Sequence, residues 1–70
     1  MPRRYRISKA LRTAIAGSSL SQRELAELAC LREEHLSRFV HGQPFGRRVL
    51  AKILIIGGLV GVAEDQAVRS

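Results

Sequence analysis

This sequence has a single cysteine, Cys30, and two histidines. One thiol cannot close an intramolecular disulfide, and so few Cys and His cannot build a multi-ligand zinc scaffold. A reducing compartment, most simply the cytoplasm, is the expectation. Strand patterning is also scarce: strict apolar/polar alternation is absent, and β-branched residues are sparse outside 49–62. The most apolar run, "VLAKILIIGGLVGVA" (49–63), is interrupted by Lys52 and is shorter than a membrane span needs. The basic start "MPRRYRISKA" is followed by no apolar h-region and no small-residue cleavage site, so it does not read as a signal peptide. With 70 residues, the chain is near the lower limit at which one apolar core suffices. These features point to a single soluble intracellular domain.

Acidic residues are few, and their placement matters more than their number. The formal charge is +6. Arg3, Arg4, Arg6, Lys9 and Arg12 fall within the first twelve residues with no acid among them. Residues 21–40 are nearly neutral, because Glu24, Glu27, Glu33 and Glu34 offset Arg23, Arg32 and Arg38. Arg47, Arg48 and Lys52 form a second basic cluster. Clustered Lys and Arg are the electrostatic footprint of a polyanion binder, most often a nucleic acid. A solvated tail that aids solubility is the plainer alternative.

Helical periodicity recurs along the chain. Ile7, Ala10, Leu11, Ala14 and Ile15 follow an i, i+3, i+4, i+7, i+8 pattern that predicts an amphipathic helix ending at Gly17. "LSQREL" (20–25) predicts a helix start: Ser21 caps, Glu24 completes a capping box, and Leu20 with Leu25 forms a hydrophobic staple. That second helix is expected over 22–29, with Leu25, Ala26, Leu28 and Ala29 available for burial. A third follows over about 32–41, with Leu31 and Leu36 as staple partners, Leu36, Phe39 and Val40 on its inner face, and Gly42 as its stop. "GQPFG" (42–46) reads as a loop. A fourth helix is expected over about 47–56, halted by Gly57 and Gly58, with a short turn or helix near the end. The predicted fold class is all-α, a compact bundle of four to five short helices. Its predicted parts are a flexible basic arm over 1–5, a helix-turn-helix domain over 6–62 and a tail or short helix over 63–70.

Two short helices with apolar inner faces and a very tight turn between them make a helix-turn-helix pattern. "SQRELAELACLREEHLSRFVHG" (21–42) resembles the DNA-binding domain of the lambda-repressor/Cro family. Gln22, Leu25, Ala26, Leu31, Leu36, Ser37, Phe39 and Gly42 match that family's pattern in type and spacing. "LAKI" (50–53) followed by Gly58 resembles its fourth helix, so the likeness covers about residues 6–60. Two positions depart from the pattern. Cys30 stands where the turn usually has glycine, in a conformation that costs a residue with a Cβ roughly 1 kcal/mol; it is expected to be half-buried. Ile55, Ile56 and Gly57 replace a mixed polar and Ala/Leu helix end. An exposed Ile55 is expected either to mark a partner surface, since this family commonly binds DNA as dimers, or to pack under the C-terminal tail.

The resemblance implies sequence-specific double-stranded DNA binding by a small transcriptional regulator, bacterial or phage-encoded, cytoplasmic and nucleoid-associated. In such a domain the second helix of the pair enters the major groove while the first lies across the backbone. At 100° per residue, Glu34, Arg38 and His41 fall opposite the buried side of the third helix, with Ser37 on the flank. Arg38 is the leading base reader because guanidinium matches guanine O6 and N7. Arg32, at the helix mouth, reaches a base or a phosphate. Glu34 is read either as an acceptor from cytosine that restrains Arg38 or as its partner in a solvated i, i+4 pair. Glu33 interacts with the helix dipole. Gln22 matches the family position that hydrogen-bonds phosphate, with Arg23 adding charge. Arg47 and Arg48 are assigned to the backbone at the other edge. Arg3, Arg4 and Arg6 lie along phosphates or enter the minor groove.

A homodimer through Ile55, Ile56 and the C-terminal segment is the expected protein partner. No cofactor, metal site or small-molecule substrate is evident. An enzyme is the weakest reading, since Cys30, His35 and His41 are joined by no carboxylate pair or Gly-rich phosphate loop. His35 is expected to be partly packed and His41 exposed. The serious alternative is a protein-interaction module on the same scaffold, contacting a regulator or acting as an antitoxin-like partner through the acidic helix and the isoleucines. Attachment to anionic membranes is disfavoured, because the arm offers little apolar face beyond Tyr5 and Ile7.

Overall fold

The computed structural model describes residues 4–69. Five helices and a two-strand ribbon run in the order β1 (Arg6–Ile7), α1 (Lys9–Ala16), α2 (Gln22–Leu28), α3 (Glu33–Val40), α4 (Arg47–Leu59), α5 (Glu64–Ala67) and β2 (Val68–Arg69). The fold is mostly helical, and the ribbon corrects the purely helical expectation. Ile7 belongs to β1 rather than to α1; the helix begins two residues later because Ser8 caps it. The Ser8 hydroxyl accepts from Leu11 N–H at 3.1 Å and donates to the Gln66 carbonyl at 2.6 Å. Ser8 N–H also donates to the Ala67 carbonyl at 3.0 Å. One serine thus starts α1 and fastens it to α5. The antiparallel register sets Arg6 opposite Arg69 and Ile7 opposite Val68. Tyr5, just ahead of β1, exchanges two backbone hydrogen bonds with Phe45, at 2.8 and 2.9 Å.

α2 begins as its sequence dictates. Ser21 Oγ accepts from Glu24 N–H at 3.1 Å, and Glu24 Oε1 accepts from Ser21 N–H at 3.2 Å. It ends in a Schellman motif, in which Leu31 N–H donates to the Ala26 carbonyl at 2.7 Å and Cys30 N–H to that of Glu27 at 3.1 Å. Closing that motif puts Cys30 at φ 59°, the left-handed conformation expected of it. Its side chain is exposed, not half-buried. Lys52 Nζ on α4 reaches the Cys30 carbonyl at 3.1 Å and supplies the cation that the last turn of α2 lacks. Replacing Cys30 by Gly should therefore raise stability by about 0.5–1 kcal/mol, after allowing for the extra freedom glycine has when unfolded. Urea denaturation measures this; equal or lower stability would show that the Cβ is compensated.

Gly42 at φ 105° closes the same motif after α3, and Gly61 at φ 81° does so after α4. The true stop of α4 is thus Gly61. Gly57 and Gly58, expected to halt the helix, lie inside it. Gly57 is there because of close approach: a Cβ would meet the Val62 carbonyl at 3.3 Å and Ala67 Cβ at 3.4 Å, where α5 crosses α4. The apolar face of α4 centres on Val49, Ile53, Ile56, Gly57 and Val60, all buried or half-buried. Ile56 is fully buried, which corrects its expected place in an interface, whereas Ile55 projects to the opposite side and is 51% exposed. On α2, the buried stripe of Leu25, Ala26 and Ala29 excludes Leu28, which is exposed rather than buried. Leu11, Leu25, Leu36, Ile53 and Ile56 form the centre of the core, and Phe45 from the loop joins Phe39 in it. At about 1.5–3 kcal/mol per fully buried large side chain, these residues dominate the apolar stabilisation.

Candidate nucleic-acid interface

α2 and α3 are joined by residues 29–32, and the staple residues Leu20 and Leu31 each pack against the core at a helix entrance. At the start of α2, Gln22 is half-buried and Arg23 is exposed. Arg23 Nε lies 3.5 Å from Glu27 Oε1, one helical turn on. The capping box occupies two of the N–H groups at this end and leaves the Glu24 carboxylate beside it. The backbone N–H groups of Gln22 and Arg23 stay outside the box, so an anion here meets them together with the two side chains.

Arg32 occupies the N-cap of α3 with extended backbone, and its side chain makes no capping hydrogen bond. Ser, Thr, Asn or Asp at this position would stabilise the helix by about 0.5–2 kcal/mol relative to an uncapped one. The guanidinium instead turns outward, with Nη1 3.8 Å from Glu34 Oε1. This pair replaces the expected one between Glu34 and Arg38. Exposed pairs are worth little and exchange readily, and Glu34 in the first turn also meets the positive end of the helix dipole. Glu33 shares that first turn, as expected. Arg38 is exposed in the last turn and has no ion-pair partner among the described residues. Ser37 is half-buried on the flank, and its carbonyl lies 2.7 Å from His41 Nδ1. His41 is exposed; so is His35, which was expected to be partly packed. No cluster of three or more His, Cys, Asp or Glu suited to a metal occurs among the described residues.

Arg23, Glu27, Arg32, Glu33 and Glu34 line a mixed-charge groove of about 400 Å³ between α2 and the start of α3, floored by Leu31. This brings Arg23, Arg32 and Glu34 together; Arg38 and Ser37 do not line it. Arg47 and Arg48 are exposed in the first turn of α4, which has no acidic residue and no side-chain cap at Gly46. Cations there oppose the helix dipole, at about 0.3–1 kcal/mol each. Arg4 and Arg6 line a separate cleft, in which they are joined by Arg12 and Arg69. Arg3 lies outside the described residues. Nothing local in the sequence links Arg69 to the N-terminal cluster, because the ribbon alone brings them together. No described helix is long and apolar enough to cross a membrane.

The chain matches no family model, no curated protein and no solved structure at a significant level.

Proposed function

We propose that this chain binds double-stranded DNA as a small transcriptional regulator, with α3 entering the major groove and α2 lying across the backbone. The observation that carries the reading is the placement of cations where the fold disfavours them. Arg32 takes the N-cap of α3, and Arg47 and Arg48 take the first turn of α4. All three are exposed, and neither Arg47 nor Arg48 has an ion-pair partner among the described residues. A polyanion supplies the counter-charge that Arg47 and Arg48 lack among the described residues. In this reading Arg38, Glu34, Arg32 and Ser37 face bases, while Gln22, Arg23, Arg47, Arg48, Arg3, Arg4 and Arg6 hold phosphates.

A salt series against random and selected duplexes tests the proposal. Binding should weaken steeply as salt rises, by about 0.9 in log–log slope per phosphate neutralised. Replacing both Arg47 and Arg48 by Gln should flatten that slope by about 2. Absence of salt-sensitive binding at low ionic strength would remove the DNA reading. The second reading, a protein-interaction module, would then stand.

That second reading draws on the exposed acidic pair Glu33 and Glu34 at the start of α3 and on the apolar face that Ile55 and Leu59 expose one turn apart on α4, a face that also suits a dimer on DNA. A second copy of the chain, the partner expected at this face, meets Ile55 and Leu59 rather than the buried Ile56. Sedimentation should then show a dimer that Ile55→Lys dissociates. A monomer at every concentration up to about the millimolar range would exclude the homodimer.

A further inference from the structure

A cleft opens between the ribbon, α1 and the loop after α3. Arg4, Arg6, Arg12 and Arg69 line it, with Gly42 and Pro44 forming its far wall, in a volume of about 340 Å³. Among the described residues, no carboxylate lines it and none of the four arginines has an ion-pair partner. The fold accounts for one of them. A Cβ on Gly42 would lie 4.0 Å from Arg12 Nη2, so this guanidinium sits at the carboxyl end of α3, where the helix dipole favours a cation. For the other three the fold offers nothing comparable. Arg6 and Arg69 are directly opposed across β1 and β2, and both are exposed. Directly opposed like charges destabilise a strand pair, and this pair lies in a ribbon only two residues long on each side. A ribbon serving only to close the domain gains nothing from that choice.

We infer that the cleft is a phosphate-binding site, in which one phosphate-bearing ligand bridges Arg6 and Arg69 and is flanked by Arg4 and Arg12. Guanidinium is the group best matched to phosphate oxygens, which it can engage through two parallel N–H bonds. The ligand cross-links β1 to β2, because each contributes an arginine. Binding is therefore coupled to closure of the ribbon and to the stability of the whole domain. The site shares Arg4 and Arg6 with the duplex reading and adds Arg12 and Arg69, which have no part in it; the phosphate can belong either to a free oligophosphate or to a nucleic-acid backbone.

The test is thermal denaturation of the full chain with tripolyphosphate, against sodium chloride at equal ionic strength. Ligand at about ten times its Kd should raise Tm by roughly 5–10 °C. The increment should vanish in Arg69→Gln and in Arg12→Gln. In Arg69→Gln the ligand-free Tm should rise, because the opposed charge is gone. These opposite signs separate a ligand site from a merely structural arginine. The Arg47→Gln/Arg48→Gln variant controls for bulk charge and should keep the increment even where it loses duplex affinity, so the two readings fail separately. An increment matched by chloride, or retained in Arg69→Gln, overturns the inference. Tripolyphosphate competition with a short duplex identifies the source. Competition that Arg69→Gln abolishes assigns the phosphate to a nucleic-acid backbone, and duplex affinity untouched by Arg69→Gln assigns it to a free ligand.

Discussion

Replacing Phe45 by Ala should destabilise the domain by about 3–5 kcal/mol. A 70-residue domain has roughly 4–10 kcal/mol in total, so this one truncation brings it close to unfolding. The side chain is 3% exposed although it comes from the loop between α3 and α4. Its ring meets that of Phe39 edge-on at 5.2 Å between centroids and stacks with that of Tyr5 at 6.3 Å. Its backbone holds Tyr5 through two hydrogen bonds. Removing the ring thus opens a cavity beneath α3 and loosens the segment that leads into β1. Phe45→Leu, which keeps most of the volume, should cost less than about 1.5 kcal/mol. Urea denaturation of the two variants checks both figures. A loss below about 1 kcal/mol for the alanine variant would mean that Phe45 merely covers the core.

Phe45 also shows where reading the sequence stops. Between Gln43 and Gly46, with Pro44 beside it, it has no periodic neighbours, so it reads as part of a turn. Signals carried by a few adjacent residues were legible: the Ser21–Glu24 box, the staple leucines, Gly42 as a stop and the left-handed Cys30. Signals that depend on distant segments were not. Two-residue strands have no alternation to detect, so Ile7 was absorbed into the pattern of α1, and the pairing of Arg6 with Arg69 could not be foreseen. Gly57 and Gly58 look like a helix stop until α5 is placed against Gly57. At the candidate interface, spacing placed Arg38 and Glu34 outward, as the structure has them. It did not foresee which arginine Glu34 would pair with, because the non-helical backbone of Arg32 sets that reach.

That change of partner sharpens the expected behaviour of Arg38. A guanidinium restrained by Glu34 would read a base through the pair; in this structure Glu34 lies beside Arg32, and Arg38 has no ion-pair partner among the described residues. If the duplex reading holds, Arg38→Ala should reduce discrimination at one base pair by about 1–3 kcal/mol, roughly 5- to 150-fold, while weakening affinity for random duplex only slightly. Glu34→Ala should act differently. It releases Arg32 at the mouth of α3, so binding to random duplex should tighten while the preference read by Arg38 persists. Competition binding with a panel of single-base-pair substitutions separates the two effects. Equal loss on every sequence in Arg38→Ala would make Arg38 a phosphate contact. Loss of base preference in Glu34→Ala would show that Glu34 itself reads a base as well as holding Arg32. The acidic pair Glu33 and Glu34 then has a physical rationale beside a polyanion. Both stabilise the first turn of a helix that begins on an arginine, and Glu34 sets how much of that arginine's charge the groove presents.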